Sequence, residues 1–212
     1  MSAFLGPIHH WLYKKIQFQN QLTERILELN ETKGFVPDLK NLTDKRYGSL
    51  PEGALEELID TDNIHGWLQD KVSLVENRLA FCVTSILNAE KTAMDDMMAL
   101  SRAMGEELAP ENIAEAPSAY QALDSYLLNG MPCDHVNQII DQDSQFFLWE
   151  QTTDIHESYW HMVGGDVSCY HRLIFCFMEG FLKPAGFCVE KRPDNLYEIR
   201  RNSSDGVDAI HA

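Results

Sequence analysis

Basic residues are scarce in this chain: 17 Lys and Arg stand against 33 Asp and Glu, a formal charge of −16. A field of that sign repels phosphate backbones and anionic lipid, which argues against nucleic-acid and membrane partners. Long apolar runs are missing too. No stretch approaches the ~18 consecutive apolar residues of a membrane span. Met1 to Ile16 has no basic leader ahead of an apolar run, and its short apolar pieces are broken by His9, His10, Lys14 and Lys15, so no signal peptide is expected. The five cysteines (Cys82, Cys133, Cys169, Cys176, Cys188) cannot all pair within the chain, and none falls in CxxC or CxxCH spacing. That excludes zinc ribbons, redox pairs and haem attachment, and it predicts reduced thiols in a cytoplasmic protein. Internal repeats and low-complexity tracts are absent as well.

What is present is an ordinary globular composition of 212 residues, 44% hydrophobic, with 12 Gly and 8 Pro. It suffices for a real core in one domain over 1–201, with 202–212 as a small polar, flexible tail. Gly6 and Pro7 open a long amphipathic helix in which Ile8, Trp11, Leu12, Ile16, Leu22, Ile26 and Leu29 recur at helical spacing up to Gly34. From Phe35 to Glu52 no period survives, which predicts a loop with at most one short strand. The clearest stripe follows: Ile64, Leu68, Val72, Val75, Leu79, Cys82 and Ile86, entered through Asp62 or Asn63.

A third helix begins near Lys91, and its Met94, Met97, Met98 and Met104 read as core rather than as an adaptable binding surface. Ser118 with Gln121 forms a capping box for a fourth helix ending at Gly130 and Pro132, and Val136, Ile139 and Ile140 mark a short one after it. Phe146 to Thr153 reads as a strand, and Asp154 with Glu157 as a capping box. Asp166 caps a helix running to about Leu182, and Gly186 to Arg192 with Leu196 to Arg200 form a hairpin. The fold class is α+β, predominantly helical, with a small antiparallel sheet near the C-terminus.

Between Arg102 and Arg172 there is no Lys or Arg, yet the interval holds 12 acids and four of the eight His. Solvated acidic faces explain such a stretch; so does a cation site, since Zn or Fe needs clustered carboxylates and imidazoles. Glu157 and His161 are four apart on one predicted helix and lie within about 40° of the same face. His156 points elsewhere. Cys133, Asp134 and His135 stand at a predicted helix start, where a thiolate is favoured, and Asp134 is equally suited to cap that helix. His9 and His10 adjoin on the first helix, so at most one can join a shared site.

The segment Val167 to Leu182 is apolar nearly all round, with His171, Arg172 and Glu179 as its only long polar side chains. Such a helix is expected to be buried, with Arg172 and Glu179 both covered and partnered. Cys169, Leu173, Cys176 and Gly180 form a second face of small and medium residues, which another element or a flat ligand can approach.

The strand, broken helix and hairpin of the last 70 residues resemble the C-terminal half of the 4-vinyl reductase and aminothiazoline-carboxylate hydrolase-like modules. The residues that carry the resemblance are Cys169, His171, the run Glu179, Gly180, Phe181 and Leu182, then Gly186 to Glu190 and Tyr197 to Ile199. It covers about a third of the chain and implies an α+β module that holds a small molecule. The Gly-Asp turn and Cys-bearing last strand of those families are absent, since Asp194 and Asn195 lead straight to Leu196 and Tyr197. No catalytic residue is carried over.

Two functions of different classes fit these observations. The first is a small-molecule or metal-binding protein, an enzyme or not, with its pocket around the 167–182 helix, the Glu157 and His161 face, and the first helix near His10. Trp160, Arg172, Cys176 and Glu179 are then the expected ligand-binding residues, and Glu157, His161, His135, Asp134 and His10 the expected metal ligands for Zn or Fe. The second is a non-catalytic, acidic helical interaction or regulatory module, with a protein partner or a second copy of the chain.

Overall fold

The structure, a computed structural model, describes residues 5–202. The expected tail therefore lies almost wholly outside the described residues. Helix α1 (Pro7–Lys33) starts with Pro7 in the first turn, where a missing donor does no harm, and stops at Gly34, whose left-handed backbone returns its N–H to the Asn30 carbonyl at 2.7 Å. Helix α4 (Ile64–Ala89) carries the predicted stripe inward against α1 and is capped by Asn63, whose side chain accepts the Gly66 N–H. Helix α5 (Ala93–Leu108) buries Met94, Met97 and Met104 in the core.

Half of the predicted loop over 35–52 is instead helix α2 (Leu39–Tyr47), and the single turn α3 (Leu55–Leu58) follows it. Only Leu39 and Thr43 of α2 are buried. Two inward residues make no stripe that a periodicity can detect. The segment is held from outside: the fully buried Arg78 of α4 donates to Asp44 at 2.6 Å and to the Gly48 carbonyl, while its other nitrogen reaches Glu24 of α1 at 2.7 Å. One buried guanidinium thus pins three parts of the chain, its charge met by two carboxylates.

Helix α6 (Ala116–Asp124) is entered through Glu115, with Pro117 in its first turn, rather than through Ser118, and it ends well before Gly130. Strand β1 (Asn137–Gln142) replaces the short helix expected from Val136, Ile139 and Ile140. That spacing fits a helix, but pairing with β2 (Phe146–Gln151) decides otherwise, and a register shift between Ile139 and Asp141 interrupts the ladder. After α7 (Glu157–Met162) and α8 (Ser168–Leu182), β3 (Phe187–Lys191) and β4 (Leu196–Arg201) complete an antiparallel sheet of order β1-β2-β4-β3. The molecule is α+β and mostly helical, with its four-stranded sheet at the C-terminal end. No helix among the described residues is long and apolar enough to cross a membrane.

Helix α8 is less enclosed than its composition predicts. Tyr170, Leu173, Cys176, Phe177 and Gly180 to Leu182 are buried, but Arg172 is exposed, with only the Met98 sulfur accepting from it at 3.2 Å, and Glu179 is half-exposed in a pair with Arg102. The three polar residues lie on the margins of the packed faces. The small-residue face is covered by another element, α5. A Cβ on Gly105 would collide with the Phe177 carbonyl and one on Gly180 with the Arg102 carbonyl, so the two glycines allow backbone-to-backbone contact, sealed by Ser101 donating to the Leu173 carbonyl at 2.7 Å.

Candidate functional site

The β2–α7 connection carries two polar side chains in opposite directions. Asp154 Oδ1 accepts the His156 backbone N–H at 2.9 Å, which turns the chain and leaves Oδ2 free to pair with His171 Nε2 of α8 at 2.8 Å. His156, two residues on, sends Nδ1 to Glu76 Oε1 of α4 at 3.0 Å, and both of those side chains are 0% exposed. The His156 ring lies on Tyr170, centroids 3.8 Å apart, and 6.4 Å from His171. Four ionisable groups from three parts of the chain thus form two imidazole–carboxylate pairs, both with their imidazole beside Tyr170.

The pairs differ in environment. Among the described residues neither Glu76 Oε2 nor His156 Nε2 has a hydrogen-bond partner, so this pair is sealed in the core at a desolvation cost and ties α7 to α4. Tyr170 is completely buried, which pushes its phenol well above the ordinary range and keeps it neutral. Asp154 is partly exposed. Burial pushes its carboxyl up, but the His156 N–H and His171 hydrogen bonds outweigh burial and hold it below the usual range. A carboxylate only accepts, so His171 donates to it through Nε2–H.

His171 and Tyr170 border a cleft of about 30 Å³ beneath the helix-facing side of the sheet, room for about two water molecules. Trp149 and Tyr197, stacked 5.4 Å apart at 17°, form its aromatic wall. Asn129, Asn137 and Gln151 add amide donors and acceptors. Flat apolar faces with convergent polar groups are the usual lining of a small-molecule site.

The residues expected to share a metal do not meet. Glu157 and His161 are both exposed on α7, and neither side chain is hydrogen-bonded among the described residues; Glu157 closes no capping box. His135 is exposed with a left-handed backbone, Asp134 accepts the Met131 N–H at 2.8 Å, and His10 sits at the surface 3.5 Å from Glu56. Among the described residues no three His, Cys, Asp or Glu side chains converge as metal ligands would. The acid-rich interval has a different explanation. Asp134, Asp143, Asp154 and Asp166 each accept a backbone N–H at a turn or helix start, and such carboxylates need no cation.

The expected ligand residues divide into two places. Trp160, buried, and Arg172, exposed, wall a groove on the far side of α8. Cys176 and Glu179 face α5 instead, where Arg102 donates to Glu179 and to the Cys176 sulfur at 3.6 Å. His156 and Glu76 were not among the expected site residues. Glu76 nonetheless carries a signal, because it stands four residues after Val72 and three before Leu79, on the buried stripe of α4, where an unpaired acid is untenable.

No protein-family model, curated protein or solved structure matches this chain.

Proposed function

We propose that this chain binds a small polar molecule in the cleft beside His171, and that the Asp154–His171 pair exchanges a proton with it. The observation that carries the reading is the pairing itself: a carboxylate held ionised fixes the imidazole with Nε2–H toward it, leaving Nδ1 as a base beside aromatic and amide walls. The small volume selects the end of a molecule, such as a carboxamide, a urea or an azole edge, stacked against Trp149 and Tyr197 with its polar atoms toward Asn129, Asn137 and Gln151. The resemblance of the last 70 residues to small-molecule-holding modules supports the same class.

Ligand-observed NMR with acetamide, urea and imidazole tests this on the whole chain. Saturable binding of at least one probe, weakened in both His171→Gln and Tyr197→Ala, is expected. Binding by none of the three, or binding that both variants leave unchanged, would contradict the proposal.

A further inference from the structure

A second, larger hollow lies across α8 from this cleft. It measures about 300 Å³ and is bounded by the end of α4, the start of α5, the α7–α8 turn and the first turns of α8. That size suits a small organic ligand. Adjacent residues of α8 serve the two places: His171 borders the cleft and Arg172 the groove.

Two independent features of the groove point to one kind of occupant. Arg172 and Lys91 both line it, and neither is ion-paired among the described residues, although the chain has 33 acids to choose from. The one side-chain hydrogen bond of Arg172 among the described residues is to a thioether sulfur, a weak acceptor that leaves the guanidinium fork largely unused. Asp166 is also at the rim, but its Oδ1 accepts the Ser168 N–H at 2.9 Å, which leaves two cations against one engaged acid.

Behind the rim, Thr84 and Trp160 are 6% and 1% exposed, and the Thr84 hydroxyl and the Trp160 indole N–H have no hydrogen-bond partner among the described residues. Both atoms are closed off from the open groove, as those of Glu76 and His156 are in the core. The floor is bare. Gly165 has no room for a side chain because a Cβ there would collide with the Thr84 hydroxyl, and Gly164, with φ of 69°, meets nothing. Leu87, half-buried, supplies apolar surface beside the charges, and the buried Met94 and Trp160 close the wall behind it.

We infer that this groove is a binding site for a small organic anion, a carboxylate on a flat or branched apolar body. The carboxylate is held by Arg172 and Lys91, and the body lies against Leu87 and the glycine floor. Arg172 presents a fork that matches carboxylate geometry, and Lys91 adds a point charge.

Calorimetric titration of the whole chain with benzoate, and separately with inorganic phosphate, tests the site at low salt. Saturable benzoate binding is expected, with phosphate bound at least roughly tenfold more weakly because it lacks the apolar part. Arg172→Gln should weaken benzoate by roughly tenfold or more. Arg172 and Lys91 are exposed, so Arg172→Gln and Lys91→Gln leave the thermal melt of the chain unchanged. His171→Gln should leave benzoate binding as it is, which separates this groove from the cleft. Absence of saturable benzoate binding, an Arg172→Gln variant as tight as the parent, or phosphate bound as tightly as benzoate would each overturn the inference.

Discussion

Asp154 Oδ2 lies 2.8 Å from His171 Nε2, while the other oxygen of the same carboxylate holds the backbone N–H of His156 at 2.9 Å. One aspartate therefore sets the orientation of one histidine by its side chain and of the other by its backbone.

Acid should loosen this arrangement. The folded-state carboxyl of Asp154 lies below its ordinary value because His156 and His171 hydrogen bonds outweigh burial. Its contribution is fully present above the unfolded carboxylate value and is lost as pH falls through the folded one. Asp154→Asn keeps an acceptor for the His156 N–H but loses the charge facing His171. Melting temperatures from pH 7 to pH 3 should show the variant below the parent at neutral pH and the gap closing on acidification. The gap amounts to about a kcal/mol or less, since Asp154 is partly exposed. A gap that stays constant with pH would contradict the assignment.

The Glu76–His156 pair carries a larger penalty when broken. Either Glu76→Ala or His156→Ala leaves a polar partner stranded in the core, and urea denaturation should report a loss of about 3–5 kcal/mol for each. Replacing both, with Leu at 76 and Phe at 156, removes the stranded group and should cost clearly less than the two single losses together. Additive losses would mean that the two side chains do not depend on each other.

At Gly105 and Gly180, ordinary helix propensity should fail. Alanine in a helix interior normally gains roughly 1 kcal/mol over glycine. Here a Cβ meets the carbonyl of the facing helix, so Gly105→Ala and Gly180→Ala should each destabilise by roughly 2 kcal/mol or more as α5 and α8 are forced apart. A stabilised variant in chemical denaturation would show that the two backbones are not in contact.

Thiol chemistry should follow exposure. All five cysteines are unpaired; Cys133 is exposed, whereas burial pushes the Cys82 thiol up to about 12 in spite of its contact with Thr43. Alkylation of the native protein followed by mass spectrometry should modify Cys133 first and Cys82 only on unfolding. Early labelling of Cys82 would show that the α2–α4 contact opens readily.

Much of the fold is legible as repeating apolar stripes. The stripe from Ile64 to Ile86 marks α4, and the Gly6-Pro7 start and Gly34 stop bound α1. What eluded the sequence rests on single long-range contacts. Helix α2 depends on Arg78, which is 34 residues from Asp44 and 54 from Glu24. Val136, Ile139 and Ile140 suit either a helix or a strand until Phe146–Gln151 pairs with Asn137–Gln142. The candidate site was hidden for the same reason, because Asp154 and His171 are 17 residues apart on different elements and no local spacing announces their meeting. Counting acids in the 103–171 interval pointed to a metal, yet a count carries no direction, and several of those carboxylates turn back on nearby backbone donors.

The central claim is that Asp154 holds His171 with its proton on Nε2, so that Nδ1 receives one from a molecule in the cleft. Long-range proton–nitrogen NMR of the His171 ring at neutral pH measures this directly, with and without saturating acetamide, urea or imidazole. The account predicts an Nε2–H tautomer in the free chain, lost in Asp154→Asn, and a shift confined mainly to Nδ1 when a probe binds. A neutral ring protonated on Nδ1, or nitrogen shifts that none of the three probes moves, would contradict it.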